Sequence, residues 1–253
     1  MKKIIIFFII FIFPCILFSA NFEFSFGGGT GTPMDFSDVE ISYNYGNVQV
    51  EEGSRVDSSG FLANAFLDIG ANFELQNAGA LSSVSVLFET GYSYYMRIRT
   101  KNKNSSKYLH RFIYHNLMLG VLPKLNFNNG ISLGIGAGIY IPLYSIANPY
   151  NRSEEISTFG LGEYPKKNKH YFKEISYMYK VPVMPYIKLT LEKNFYMSER
   201  WAFKIGADLL YNFGMEFDME NLKKDTQKYT FNKYKFSSLA FEVFLGFGFG
   251  RPR

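Results

Sequence analysis

A chain of 253 residues with a formal charge of +5 is long enough for one large domain and too weakly basic to read as a nucleic-acid binder. Mean hydropathy near zero excludes a bundle of membrane helices, and a single cysteine excludes an internal disulfide or a thiolate zinc site. Aromatics reach 19%, from 27 Phe and 19 Tyr against one Trp, a usage foreign to ordinary soluble enzymes.

The first element is "MKKIIIFFIIFIFPCILFSA". Basic Lys2 and Lys3 precede an apolar run from Ile4 to Phe18, and small Ser19 and Ala20 follow. This pattern predicts a secretory signal peptide over 1–20, cleaved near Ala20. The run is shorter than the ~20 residues a spanning helix needs. Pro14 argues against lipidation of Cys15. The expected mature domain, 21–253, then holds no cysteine.

From Asn21 onward the apolar period is two. Segments over roughly 21–32, 61–75, 83–98, 108–125, 131–144, 180–195, 201–215 and 236–250 read as eight strands. In "ISLGIGAGIYIPL", Ile131, Leu133, Ile135 and Ile139 alternate with Ser132, Gly134, Gly136 and Tyr140. In "WAFKIGADLLYNF", Trp201, Phe203, Ile205 and Leu209 alternate with Ala202, Lys204, Gly206 and Asp208. Soluble strands average ~5–6 residues, whereas tilted membrane strands need ~9–11. The connections sort by length: 33–60, 145–179 and 216–235 are long, 99–107 is medium and basic, and 76–82, 126–130 and 196–200 are short. Short turns on one side and longer loops on the other mark an outer-membrane barrel, with the long loops outside.

The glycine run "SFGGGTGTP", 25–33, lacks the Lys and the helix that a phosphate loop requires. Pro33 is expected to end the first strand. Gly27, Gly29, Gly31, Gly134, Gly136, Gly138, Gly206, Gly246 and Gly248 fall on the inward face, where a missing side chain leaves room in a narrow lumen. The same alternation turns a set of ionisable residues inward: Glu23, Asp68, Glu74, Glu89, Arg97, Lys188, Glu192, Lys204, Asp208 and Glu242. They are expected to pair, either as a polar core that holds the barrel shut or as a gate on an ion path. Lys204 and Glu242 are expected to meet across neighbouring strands.

The whole of 21–253 resembles the small eight-stranded outer-membrane β-barrels of the OmpA, OmpX and OmpW type, through its leader, alternating strands, sorted loops and aromatic-rich last strand. Four residues after Phe249 depart from barrels that end on an aromatic. The resemblance implies an all-β, antiparallel transmembrane barrel in a bacterial outer membrane. Its implied partners are membrane lipid and the barrel-assembly machinery, with no cofactor.

The loops carry what remains. Lys101, Lys103 and Lys107 sit in one, Lys166, Lys167 and Lys169 in the next, and Lys223, Lys224 and Lys228 in the last. Basic loops on a cell surface suit an anionic surface or host ligand. The leading expectation is a structural or surface-interaction, porin-like protein. The alternative is a narrow channel or lateral-opening transporter for small solutes. A lipid-modifying enzyme is the third, although the contexts "HRF", "HNL" and "HYF" of His110, His115 and His170 contain no His-x-Ser pair and no metal spacing.

Overall fold

A computed structural model describes residues 21–43, 51–75, 78–102, 105–149, 169–218, 220 and 229–250. The leader 1–20, with Cys15, lies outside the described residues, as do Lys103, Lys166, Lys167, Lys223, Lys224 and Lys228.

The strands are β1 (Asn21–Tyr43), β2 (Glu51–Glu74), β3 (Leu81–Asn102), β4 (Ser105–Phe127), β5 (Ile131–Pro149), β6 (Lys169–Tyr171), β7 (Met184–Tyr196), β8 (Trp201–Asn212) and β9 (Tyr229–Phe249). One short helix, α1 (Phe172–Met178), follows β6. Eight of these strands form the wall, each antiparallel to its neighbours. β1 meets β9 from Phe24↔Phe249 to Tyr43↔Tyr229, so the sheet closes on itself. β5 pairs with β4 and β7, and β6 adds three residues to its upper part through Tyr144↔Tyr171. Closure leaves no strand edge, which is the condition for a sheet to sit in hydrocarbon.

Alternation places the core inside. Exposed Ile135, Leu189, Leu191, Phe241, Val243 and Leu245 point outward, and the charged and polar residues point in. An apolar girdle of this extent has no stable place on a soluble monomer. Aromatics gather at its two margins, as they do in membrane barrels. At the short-turn end Trp201 packs on Phe249 at 5.2 Å and Phe203 on Phe247 at 5.5 Å. At the other end His115 stacks on Tyr144 at 4.0 Å, with Tyr94 edge-on at 5.3 Å.

The short turns have local causes. Gly130 adopts φ +78°, a conformation open to glycine, and its N–H donates to Phe127 O at 2.9 Å. Asn129 Oδ1 accepts from the Ile131 N–H at 3.0 Å. In 197–200, Ser198 Oγ accepts from the Trp201 N–H at 3.1 Å.

Several strands run further than the sequence predicts. β1 to β4 span 22–24 residues and β9 spans 21. Apolar periodicity stops where the lipid belt stops, but the hydrogen-bond ladder does not. Above the belt the outward face turns polar, and Asp38 pairs with Lys233 at 2.7 Å. Pro33 does not end β1. It pairs with Ala240 of β9, while the β1–β2 ladder has no pair at Pro33, so its missing N–H costs nothing on that side. Segments 33–60, 99–107 and 216–235 are therefore partly strand. β7 and β8 are shorter, at 13 and 12 residues. Beyond β8, Gly214 turns the chain at φ +64°, and Met215 and Phe217 rejoin β9 through bonds to Phe236 and Tyr234 at 3.1 and 2.9 Å.

Candidate functional site

The lumen is filled in layers, taken here from the short-turn end. Asn72 Nδ2 donates to Ser83 and Ser85 at 2.9 Å each, and Asn126 Nδ2 donates to the same hydroxyls at 3.0 and 2.7 Å. These amides and hydroxyls tie β2, β3 and β4 together across the floor.

Above them lies a square of charges. Lys124 Nζ reaches Glu23 at 3.3 Å and Glu192 at 3.0 Å. Lys204 Nζ stands 3.8 Å from Glu23 and 3.7 Å from Glu192. The four side chains come from β1, β4, β7 and β8 and are at most 4% exposed, so solvent screens them little. Ser85 Oγ donates to Glu23 at 2.5 Å, which links the square to the floor.

The next level holds Asp68, Glu89, Lys188, Asp208 and Glu242. Lys188 pairs with Glu89 and stands 3.6 Å from Asp208. Ser25 donates to Asp68 at 2.8 Å, Tyr186 to Glu89 at 2.7 Å, and Asn64 to Glu242 at 2.6 Å. The glycines have their explanation here. A Cβ on Gly29 would overlap the Glu242 carboxylate, and one on Gly136 would meet Lys188 Cγ at 2.9 Å. Gly29, Gly134 and Gly136 thus give up their own side chains so that Glu242, Lys124 and Lys188 can cross the lumen.

Higher up the section is aromatic. Tyr140 packs on Tyr186 at 4.7 Å, and Tyr95 stacks on Tyr114 at 6.0 Å. A cavity of 10 Å³ bounded by Leu62, Tyr95, Tyr140 and Leu210 has room for about one water. Tyr95 also donates to the buried Asp35. Above it Arg97 lies over the Phe236 ring at 4.6 Å and donates to Ser37 at 3.1 Å and to the Tyr234 hydroxyl at 3.4 Å. Tyr179 hydrogen-bonds Tyr114 at 2.8 Å and packs on Phe217 at 4.4 Å. Ile175 of α1 is fully buried beside this cluster. Next to it, burial holds the His170 imidazole below its ordinary pKa, and Glu174, 3.7 Å away, works against that shift.

Of the inward set expected from sequence, Glu23, Asp68, Glu89, Arg97, Lys188, Glu192, Lys204, Asp208 and Glu242 are buried in the lumen. Glu74 lies at the open lower end, exposed, and accepts from Asn21 at 2.5 Å. Lys204 and Glu242 do not meet. Lys204 is opposite Gly246, and Glu242 is opposite Asp208. The β8–β9 connection is long, so no tight turn sets that register, and depth along the strand is a poor guide to it. Two members escaped the sequence reading. Lys124 follows the same alternation as Leu122 and Asn126, and Asp35 lies beyond Pro33, where the strand was expected to stop. In the loops, Lys169 lies exposed on β6 with Nζ 4.0 Å from the centre of the Tyr144 ring, while Lys101 and Lys107 fall on the ends of β3 and β4. Among the described residues no group of three or more His, Cys, Asp or Glu is placed to hold a metal ion.

No family model matches the chain, and no curated protein matches it in sequence. Solved structures similar to it include the outer membrane protein OprG from Pseudomonas aeruginosa, at 12% identity and TM-score 0.40 over 91% of this chain and 95% of that one. The attachment invasion locus protein Ail of Yersinia pestis matches at 10% identity and TM-score 0.31, over 88% and 99% of the two chains. The outer membrane protease OmpT from Escherichia coli matches at 9% identity and TM-score 0.40, over 91% and 97%. Closed by β1 against β9, apolar outside and charged within, this chain is an eight-stranded transmembrane β-barrel of the outer-membrane class.

Proposed function

We propose that the chain is a bacterial outer-membrane barrel, exported by its N-terminal leader and inserted by the assembly machinery, that conducts no steady current and works through its long-loop rim. One observation carries this reading: the Lys124–Glu23–Glu192–Lys204 square crosses the lumen from four strands, below a level packed with tyrosines. An eight-stranded barrel is just wide enough for side chains to fill, and these do. What remains to meet a partner is the extended wall above the lipid belt with its loops. A lysine among aromatics at the rim, as Lys169 beside the half-buried Tyr144 and the exposed Tyr171, suits an anionic lipid headgroup or host polyanion. No catalytic role is assigned, because His115 contacts tyrosines and His170 is buried beside Glu174.

The test is a planar-bilayer recording of the purified barrel. Absence of discrete conductance steps in both the wild type and Lys124→Gln supports a plug. Steps in the wild type whose size or ion selectivity changes in Lys124→Gln would replace it with the narrow-channel reading.

A further inference from the structure

Among the described residues the barrel buries seven carboxylates against four Lys and Arg cations, and the surplus is not spread evenly. Near the short-turn end, Glu23 and Glu192 balance Lys124 and Lys204. Near the long-loop end, Asp35 and Ser37 are successive inward positions on β1, and they bond Tyr95 and Arg97, successive inward positions on β3. Asp35 and Arg97 thus offset each other. Between these two levels, Asp68, Glu89, Asp208 and Glu242 have Lys188 as the cation at their own height, with Lys124 and Lys204 of the level below also within electrostatic reach of Asp68. The whole surplus of three lies in this one chamber.

Register makes the crowding specific. Asp68 is directly opposite Glu89 across β2–β3, and Asp208 is directly opposite Glu242 across β8–β9. Like charges in facing positions repel, and here they do so away from water. The other strands offer them few charges at this level. The inward positions of β5 at this level are Gly134 and Gly136, and those of β4 are Gly120 and Leu122. β1 contributes the Ser25 hydroxyl, and β7 contributes Lys188 with Tyr186 above and, below, Thr190, whose hydroxyl faces Asp208, and then Glu192. Tyr140 closes the chamber above, while Glu23, Lys124 and Lys204 close it below. A second observation is independent of charge: Asp68 Oδ1 and Asp208 Oδ1, one from each facing pair, are buried with no hydrogen-bond partner.

We propose that the two facing carboxyl pairs, Asp68–Glu89 and Asp208–Glu242, are proton-binding sites, each holding one proton on one of its two carboxyl groups. A hydronium ion gives its proton to one carboxylate oxygen of a pair, leaving water, and that carboxyl group becomes neutral. No bond breaks within the protein and no other reactant is needed. Each pair then carries one negative charge, which Lys188, Ser25, Tyr186 and Asn64 can serve. The surplus falls from three charges to one. The inference does not depend on whether the barrel conducts.

Infrared spectroscopy of the folded barrel in lipid vesicles at neutral pH tests it. The carbonyl band of protonated carboxyl groups should be present, should shift in heavy water, and should lose about half its intensity in Asp208→Asn/Glu242→Gln, which removes one of two equivalent sites. Asp68→Asn/Glu89→Gln is measured separately, so that a folding failure in one variant leaves the other to decide. No such band in the wild type, or a band unchanged in whichever double variant folds, overturns the proposal. A band present in choline buffer and abolished by sodium would assign the chamber to an alkali cation and overturn it as well.

Discussion

Replacing Lys124 with Gln would remove the cation that both Glu23 and Glu192 reach, at 3.3 and 3.0 Å. The remaining cation, Lys204, stands 3.8 and 3.7 Å from the same two oxygens, beyond good hydrogen-bond distance. Two carboxylates at most 4% exposed would then face each other across the lumen. Deleting one partner of a buried pair costs about 3–5 kcal/mol, because the charge left behind is uncompensated. Solvent calls for no discount, since the lysine side chain is 0% exposed. The expected loss is therefore about 3 kcal/mol or more of unfolding free energy. Urea unfolding in lipid vesicles would measure it through the fluorescence of Trp201, the single tryptophan, which sits at the lipid margin and enters water on unfolding. Lys124→Met/Lys204→Met/Glu23→Gln/Glu192→Gln should regain most of the loss, because it removes all four charges of the square together and leaves none of them without its partner. A Lys124→Gln cost no larger than that of the exposed Lys173→Gln would refute the square as a source of stability, and so would a quadruple variant weaker than the single one.

The other predictions use different parts of the barrel. Leu245→Arg, on the outward face, should cost about 2–4 kcal/mol in lipid, whereas Ala240→Ser inside should cost far less; equal losses in the same unfolding assay would mean the faces are misassigned. Gly29→Ala drives a methyl group into the Glu242 carboxylate and should cost about 1–3 kcal/mol by overpacking, which the same titration would register. On intact cells an impermeant amine reagent should modify Lys169 and Lys173 but not Lys193 beside the Asn129 turn; the reverse pattern would invert the topology. Because the His170 pKa is lowered on folding, the unfolded chain takes up a proton first, so stability conferred by the neutral ring is complete above the unfolded value of about 6.5 and is lost as pH falls below it. His170→Phe should flatten that acid limb in hydrogen exchange of α1, and an unchanged limb would show that His170 is not its source.

How much of this was legible depends on which physical signal each feature writes into the chain. The wall was legible because its two faces meet different solvents. Ile135 and Leu189 must suit lipid while Lys188 and Glu192 must suit the lumen, and a strict period of two records both demands. The upper wall was not, because above the lipid belt both faces tolerate polar residues. Asp35, Ser37 and Asp38 look like a loop until β9 is seen beside them. Pro33 added a false stop, since a proline interrupts a strand only where its missing N–H would have faced a paired neighbour, and the β1–β2 ladder has no pair there. Register divided along the same lines. The tight turn at Gly130 sets Asn126 against Ser132, but nothing local sets β8 against β9, so Lys204 lands on Gly246 and Asp208 on Glu242. That unpredicted register has chemical weight. A shift of β9 by four residues would put Glu242 opposite Lys204 and dissolve one of the two carboxyl pairs. The ladder instead keeps Lys204 for Glu23 and Glu192 and leaves Glu242 facing Asp208, so the concentration of acid at mid-height follows from pairing between distant segments and from no motif within any of them.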